Sequence, residues 1–300
     1  SFRFVLDLYD ARYRTLYQGG KTTRTITLFC TNAAHKLAEV YQKCRSEILF
    51  SATLSPAAFY RDLSGVKAES PFLALPSPFP QENLAVYHLS LDTRFAAREA
   101  TLHAVADAVC AFVSARENGN YLVFAPSHSY LAKLSVLLRE LLPDITFLEQ
   151  SPKMDDAARA EFLAQFTPDA VGVTLGLAVM GGVFAEGIDL PAERLCGAVV
   201  VGVGLPQVCL ERDVLREAYE ETYQSGFRYA YQYPGISKVL QAAGRIIRTE
   251  TDRGALLLID TRYSLSDYRA LLPPHWKVER VRHKEELADK VSAFWKEPIG

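Results

Sequence analysis

The sequence predicts an α/β fold: a doubly wound parallel sheet with helices on both faces, preceded by an N-terminal strand and hairpin appendage. Three observations carry this expectation. Apolar stretches of strand length recur from residue 86 onward, amphipathic stretches of helix length separate them, and the first 54 residues break that rhythm. Strands buried on both faces read as unbroken apolar runs, and parallel neighbours need crossover connections between them.

Residues 1–54 read as strand, hairpin, helix and strand, from "FRFVLDLYD" to "EILFSATLSP". The stretch "YQGGKTTRTITL" contains Gly20-Lys21-Thr22, the end of the commonest phosphate-binding loop. That loop needs a first Gly five positions before Gly20, where Thr15 stands, with a strand entering and a helix leaving. Thr23, Thr25, Ile26, Thr27, Leu28 and Phe29 suit a strand instead, so a hairpin turning at Gly19-Gly20 is expected. Residues 55–85, rich in Pro, Ser and Phe, read as a linker.

The main domain is expected over residues 86–300. "AVYHLSL" is a strand, followed by a helix with Leu102, Val105, Val109 and Phe112 on one face. "YLVFAPS" is the next strand, followed by a helix with Leu131, Leu134, Leu138 and Leu141. "ITFLEQ" leads to a helix bearing Ala158, Phe162 and Phe166. "AVGVTLGLAV", "LCGAVVVGV" and "GALLLID" are three further strands. Such alternation of strand and helix is the pattern of a doubly wound domain.

Composition narrows the function classes. The chain has 300 residues, 49% hydrophobic and 23% charged, which is ordinary for a soluble globular protein. Its net charge of −2 excludes a generally basic nucleic-acid binder, so any such binding must use a local patch. The five cysteines are scattered with no C-x-x-C pair, which fits reduced thiols and a cytoplasmic location, and no metal site is expected. No run is long enough to span a membrane and no signal peptide opens the chain, so no membrane partner is expected.

Four stretches could carry chemistry. In "KVLQAAGRIIRTETDRGALLLID", a helix would put Gln241, Arg245 and Arg248 at i, i+4 and i+7 on one face, beside an apolar stripe of Ile236, Leu240, Ala243 and Ile247. Gly244 would let a ligand approach the backbone. Two guanidiniums and an amide suit a polyanion, although the spacing equally fits a solvated basic face. "VMGGVFAEGIDLPAERL" follows a strand and sets Glu186, Gly187 and Asp189 at the sheet edge where open α/β folds bind ligands; read alone, it is also a flexible loop. "LFSATLSP" offers Ser51 and Thr53 after an apolar run, and "YLVFAPSHSYL" offers Ser127, His128 and Ser129 where a helix begins. Both serines read locally as helix caps. "VVVGVGLPQV" does not make a dinucleotide fingerprint, because Gln207 stands at the third position and Pro206 interrupts the turn.

In this order the four stretches resemble the later motifs of superfamily 2 helicases of the XPD/DinG (Rad3-related) group. "SATLSP" is similar to motif III, "VFAPS" to motif IV and "FAEGIDLP" to motif V, while "QAAGRIIR" fits motif VI, Gln-x-x-Gly-Arg-x-x-Arg, at every fixed position. The Asp-x-Arg-Tyr turn and the Leu-Pro-Pro-x-Trp ending after "GALLLID" are similar too, and the match spans about residues 47–277. A phosphate-binding loop, an Asp-Glu-x-His box and a cysteine quartet are missing; in the group they precede motif III.

The resemblance implies a RecA-like fold, with 1–54 as the end of a first motor domain, 55–85 as linker and 86–300 as the second motor domain. It implies ATP held between the two, with Mg²⁺ and the phosphates gripped by a first motor domain lying before residue 1. Any iron–sulfur cluster would be there as well. Arg245 and Arg248 would reach the γ-phosphate, Gln241 would orient it, and Gly187 and Asp189 would face the nucleotide beside Gly244. Glu186 would hold the arginines or the loop. Ser51 and Thr53 would relay nucleotide state, while Ser127 and His128 would hold single-stranded DNA during 5′-to-3′ movement. A non-catalytic RecA-like interaction module is the rival reading, and a small-molecule α/β enzyme is disfavoured by the lack of a nucleophile–base constellation.

Overall fold

The computed structural model describes residues 2–20, 22–168, 170–181 and 194–297. They divide into two compact units: residues 1–74 with 205–235, and residues 75–204 with 236–300.

The first unit opens with helix α1 (Phe2–Asp7), where a strand was expected. Without a neighbouring strand, the backbone satisfies itself locally, as in the bonds from the Leu8 and Tyr9 N–H groups to the Val5 and Leu6 carbonyls. Strands β1 (Tyr13–Gly19) and β2 (Arg24–Cys30) then form the expected antiparallel hairpin, in register from Tyr13↔Cys30 to Gly19↔Arg24. The Gly20 N–H donates to the Thr23 carbonyl at 2.7 Å, closing the turn. The Gly20-Lys21-Thr22 sequence is therefore a hairpin connection, with Lys21 outside the described residues.

Helices α2 (Ala34–Tyr41) and α3 (Ala57–Ser64) follow, the second inside the stretch read as linker. The expected strand at "EILF" does not form: residues 46–51 are irregular, and Ile48 and Phe50 are 85% and 90% exposed. Residues 205–235, which strand order alone would leave with the sheet, join this unit through aromatic packing. Phe59 of α3 is buried with Tyr219, Tyr229, Ala230 and Tyr231. Tyr229 meets Phe59 edge-on at 5.1 Å and stacks on Tyr223 at 4.8 Å.

The second unit is built on seven strands: β3 (Leu84–Leu89), β4 (Gly119–Ala125), β5 (Thr146–Glu149), β6 (Val173–Val179), β7 (Gly197–Val201), β8 (Gly254–Ile259) and β9 (Val278–Val281). Their order is β5-β6-β4-β7-β8-β3-β9 and every pairing is parallel. Every residue of β4, β7 and β8 is buried, as unbroken apolar runs require. One face is covered by helices α4 (Arg98–Val113) and α5 (His128–Leu141) and by the helix Lys284–Lys296; Val105, Val109, Phe112, Leu134, Val291 and Phe294 share its core. The opposite face carries helix α6 (Asp156–Ala164), where a Cβ on Gly176 would strike Phe166 at 2.7 Å and Leu122 at 2.6 Å. The RecA-like doubly wound sheet is thus present with helices on both faces.

Three details depart from the periodicity. Leu141 is 48% exposed at the helix end, Phe166 is buried although α6 has already stopped, and β9 was not anticipated. The "VERV" of β9 carries two charged residues between its valines and buries only Val281, as suits an edge strand, where charged side chains are common.

The carboxyl ends of β3, β7 and β8 are tied by the Asp-x-Arg-Tyr turn. Asp260, fully buried, accepts from the Arg262 backbone N–H at 2.7 Å, from its Nε at 2.8 Å and Nη2 at 2.7 Å, and from the Thr93 hydroxyl. The Tyr263 hydroxyl donates to the Gly202 carbonyl at 2.9 Å. Gly202 turns away from β7 at φ +91°, a conformation that glycine adopts without steric cost.

Candidate functional site

The candidate site lies at the carboxyl edge of β4 and β6, and it is assembled from three chain segments of the second unit. The first is the start of α5. Ser127, extended at φ −165°, caps the helix by accepting from the Tyr130 N–H at 3.3 Å, and its hydroxyl lies 3.1 Å from that of Ser129. The cap read from sequence is therefore real. It leaves the leading N–H groups at His128 and Ser129 without intrahelical partners, and these with the helix dipole favour an anion. The Arg98 guanidinium adds positive charge nearby, over the Phe95 ring at 5.8 Å and the Tyr130 ring at 6.0 Å.

The second segment leaves β6. Ala125 of β4 pairs with Val179 of β6, and the Met180 N–H donates to the Ala125 carbonyl at 2.9 Å. The start of α5 and the exit of β6 thus share one corner. Buried Gln150 fixes the exit, its Oε1 accepting from the Val179 N–H at 2.8 Å. Glu186, Gly187 and Asp189 come next in the chain and lie outside the described residues.

The third segment is the helix Tyr233–Ala243 with the turn after it. Lys238 packs onto the β6 exit: a Cβ on Gly181, which has φ +76°, would lie 2.7 Å from the Lys238 Nζ. The left-handed backbone at this position favours glycine, whose bare Cα leaves the ammonium its room. Gln241 is three residues on and therefore on the same side of the helix. Ile236, Val239, Ala242 and Ala243 are buried, so the apolar stripe is real but shifted by one position from Leu240, which is half-buried.

The shared helical face expected for Gln241, Arg245 and Arg248 does not exist, because the helix ends at Ala243. Gly244 and Arg245 form a turn, with the Gly244 N–H on the Leu240 carbonyl at 2.9 Å, and Arg248 follows in irregular chain. Buried Asp252 organises that chain. Its Oδ2 accepts from the N–H groups of Arg248 at 2.6 Å and Thr249 at 2.8 Å, and its Oδ1 accepts from the Thr249 hydroxyl at 2.7 Å. Both arginine side chains are half-buried.

Ser51 and Thr53 belong to the first unit. The Ser51 Oγ accepts from the Thr53 N–H at 3.2 Å, a local turn rather than the helix cap expected, since Pro56 precedes α3. Lys238, Gln150 and Asp252 were not singled out from sequence. Lys238 could have been found as the i−3 neighbour of Gln241, and Asp252 from the Thr-x-x-Asp spacing after Arg248.

Asp252→Ala should leave two N–H groups without their acceptor. Hydrogen bonds to a charged group contribute about 1.5–3 kcal/mol each, so urea unfolding of the second unit should show a loss of roughly that size or somewhat more. Asp252→Asn keeps an oxygen for both N–H groups and an amide for a rotated Thr249 hydroxyl, and should lose less than half as much. Equal losses in the two variants would show that Asp252 acts by charge alone.

The sequence profile for the helicase C-terminal domain matches residues 110–279. The general transcription and DNA repair factor IIH helicase subunit XPD of Dictyostelium discoideum is 25% identical over 302 residues, covering 91% of this chain and 36% of that protein. The regulator of telomere elongation helicase 1 of Homo sapiens is 25% identical over 296 residues, covering 86% of this chain and 24% of that protein. A solved XPD structure superposes with a TM-score of 0.66 at 16% identity, covering 93% of this chain and 56% of that one. The chain thus spans about a third or less of the length of these curated relatives.

Proposed function

The chain belongs to the helicase C-terminal domain family, in the XPD/DinG-like, Rad3-related branch of superfamily 2, and from that premise we propose that it is the nucleotide-sensing half of an ATP-dependent DNA helicase. One observation carries the reading. The capped start of α5, suited to a backbone phosphate, comes together at the exit of β6 with Lys238, on the helix whose following segment carries Arg245 and Arg248, suited to a nucleotide phosphate.

In this reading Arg245 and Arg248 act from the second motor domain on ATP whose phosphates are gripped by a domain outside this sequence. Guanidinium forks placed against the γ-phosphate stabilise the charge that spreads over its oxygens as the bond to the leaving group breaks. Asp252 fixes the backbone from which Arg248 reaches, and Gln241 orients the phosphate or an arginine. Gly244 leaves the approach open. Gly187 and Asp189 face the nucleotide, and Glu186 holds the arginines or their loop. Ser127 and the His128 N–H hold phosphates of single-stranded DNA, which moves 5′ to 3′ as the site opens and closes. Ser51 and Thr53 relay the nucleotide state from the end of the first motor domain. The bare Ile48 and Phe50 of the irregular "EILF" segment support a packing neighbour for it outside this sequence.

Among the described residues neither Mg²⁺ nor an iron–sulfur cluster finds a set of ligands. Among the described residues no three His, Cys, Asp or Glu side chains gather as a metal site, and the five cysteines are dispersed thiols. Mg²⁺, and any iron–sulfur cluster, would be held by the phosphate-gripping domain. No helix among the described residues is long and apolar enough to cross a membrane.

The test compares the full-length protein with this chain alone. The full-length protein should hydrolyse ATP in response to DNA and the chain should not. Labelled single strands should bind the chain weakly, with Kd about 10⁻⁴–10⁻⁶ M and a log–log salt slope of roughly −0.7 per phosphate neutralised. Poly-dT and mixed sequence should differ little, since phosphates carry no sequence information. DNA-stimulated turnover by the chain alone, or nanomolar sequence-selective binding, would overturn the reading in favour of an autonomous enzyme or a recognition module.

A further inference from the structure

Away from the β6 exit, the sheet edge formed by β3 and β9 holds a cavity of about 370 Å³. Tyr87, Leu89 and Val281 point into the core beneath α4, so the alternating His88 and Arg280 face the other way. These two are direct partners across the β3–β9 ladder, and residues 263–276 cover them. His88, Tyr263, Arg269, Pro273, Trp276 and Arg280 line the space.

The charge of this lining is one-sided. It contains two guanidiniums and no carboxylate. Of the acids that flank the lining in the chain, Asp260 pairs with Arg262 at 2.7 Å and Glu279 with Lys290 at 2.7 Å, while Asp267, two residues before Arg269, accepts from the Tyr268 N–H and is not part of the lining. Among the described residues neither Arg269 nor Arg280 is in an ion pair. Both positive charges reach His88, where they add to burial in holding the imidazole below its ordinary pKa, against the pull of the Asp260 carbonyl. The ring is neutral at pH 7, and its Nε2–H donates to that carbonyl at 2.9 Å.

An isolated pair of exposed arginines would be an ordinary solvated surface. Here they flank a concavity walled also by the Trp276 indole, the Tyr263 phenol, the His88 imidazole and the apolar Leu272, Val278 and prolines. Its volume lies at the small end of ligand pockets, which run from about 300 to 1,000 Å³. Guanidinium forks match phosphate oxygens, and an indole face matches a planar ring. We propose that this cavity binds a nucleoside monophosphate group, its phosphate held by Arg269 and Arg280 and its base against Trp276. The site is independent of the ATP reading, because it uses none of Gln241, Arg245 or Arg248. The same group could arrive as a free nucleotide or as the 5′-phosphorylated end of a strand.

The chain has two tryptophans, so Trp295→Phe leaves Trp276 as the sole indole reporter. In that background, AMP should change Trp276 fluorescence saturably at millimolar concentration or below. Adenosine and inorganic phosphate should each bind roughly tenfold more weakly or worse. Arg269→Ala with Arg280→Ala should weaken AMP by a similar factor at unchanged melting temperature, and the paired Lys variants should recover only part, having charge without the fork. A 5′-phosphorylated oligonucleotide matching AMP would identify strand ends as the source, and AMP alone would identify free nucleotide. No saturable response to AMP, an equal response to inorganic phosphate, or an AMP response indifferent to both arginines would overturn the proposal.

Discussion

In the full-length protein, Arg248→Ala is expected to cut DNA-stimulated ATP hydrolysis by about 10³-fold or more, the range in which arginine fingers act. The backbone of Arg248 is held through its own N–H by Asp252, and alanine keeps that N–H. The turn should therefore survive and the melting temperature should move little. Arg248→Lys separates charge from geometry: an ammonium keeps the charge but cannot fork across two phosphate oxygens. It should recover only a minor part of the rate. Arg245→Ala should behave similarly, since Arg245 stands in the turn that leads into the segment bearing Arg248. Hydrolysis within a few-fold of wild type in Arg248→Ala would remove Arg248 from the reaction and leave the segment a structural turn.

The sheet was readable because burial on both faces leaves no room for polar residues. "YLVFA" and "GALLLI" could be little else than central strands, and both are fully buried. Pairing partners are another matter. "EILF" has the composition of a strand, yet a strand needs a neighbour, and among the described residues this segment has none. Residues 205–235 separated from the sheet for a related reason, because tyrosines that suit a core do not announce which core.

The arginine motif shows the same limit at finer scale. Its residue types and order were legible, but its helix was extended too far. Gly244, directly after the last helical residue Ala243, is a helix stop signal, and it outweighed the i, i+4, i+7 spacing that seemed to unite the arginines. What places Arg248 is Asp252, a side chain whose role depends on a turn that the spacing did not suggest. Lys238 is similar: nothing in its local sequence says that Gly181, fifty-seven positions earlier, is bare to receive it.

Asp260→Ala should be the most damaging single change to the second unit's stability. The carboxylate is fully buried and the Arg262 side chain retains only 17% of its exposure, so removing the acid strands a largely dehydrated guanidinium. Breaking a buried pair from one side costs about 3–5 kcal/mol. For a domain of this size each kcal/mol moves Tm by about 2–4 °C, so a fall of roughly 6–20 °C is expected. Asp260 also accepts from Thr93, after β3, and from the Arg262 N–H, after β8, so its loss unties two strand ends together. Removing Arg262 as well relieves the stranded charge. The double variant Asp260→Ala, Arg262→Ala should therefore lose less than the sum of the two single losses, with a coupling of about 0.5–3 kcal/mol. Calorimetry of the three variants measures this directly. An Asp260→Ala protein melting within a couple of degrees of wild type would mean that water replaces the carboxylate, and that the Asp-x-Arg-Tyr turn is held by packing of Tyr263 rather than by charge.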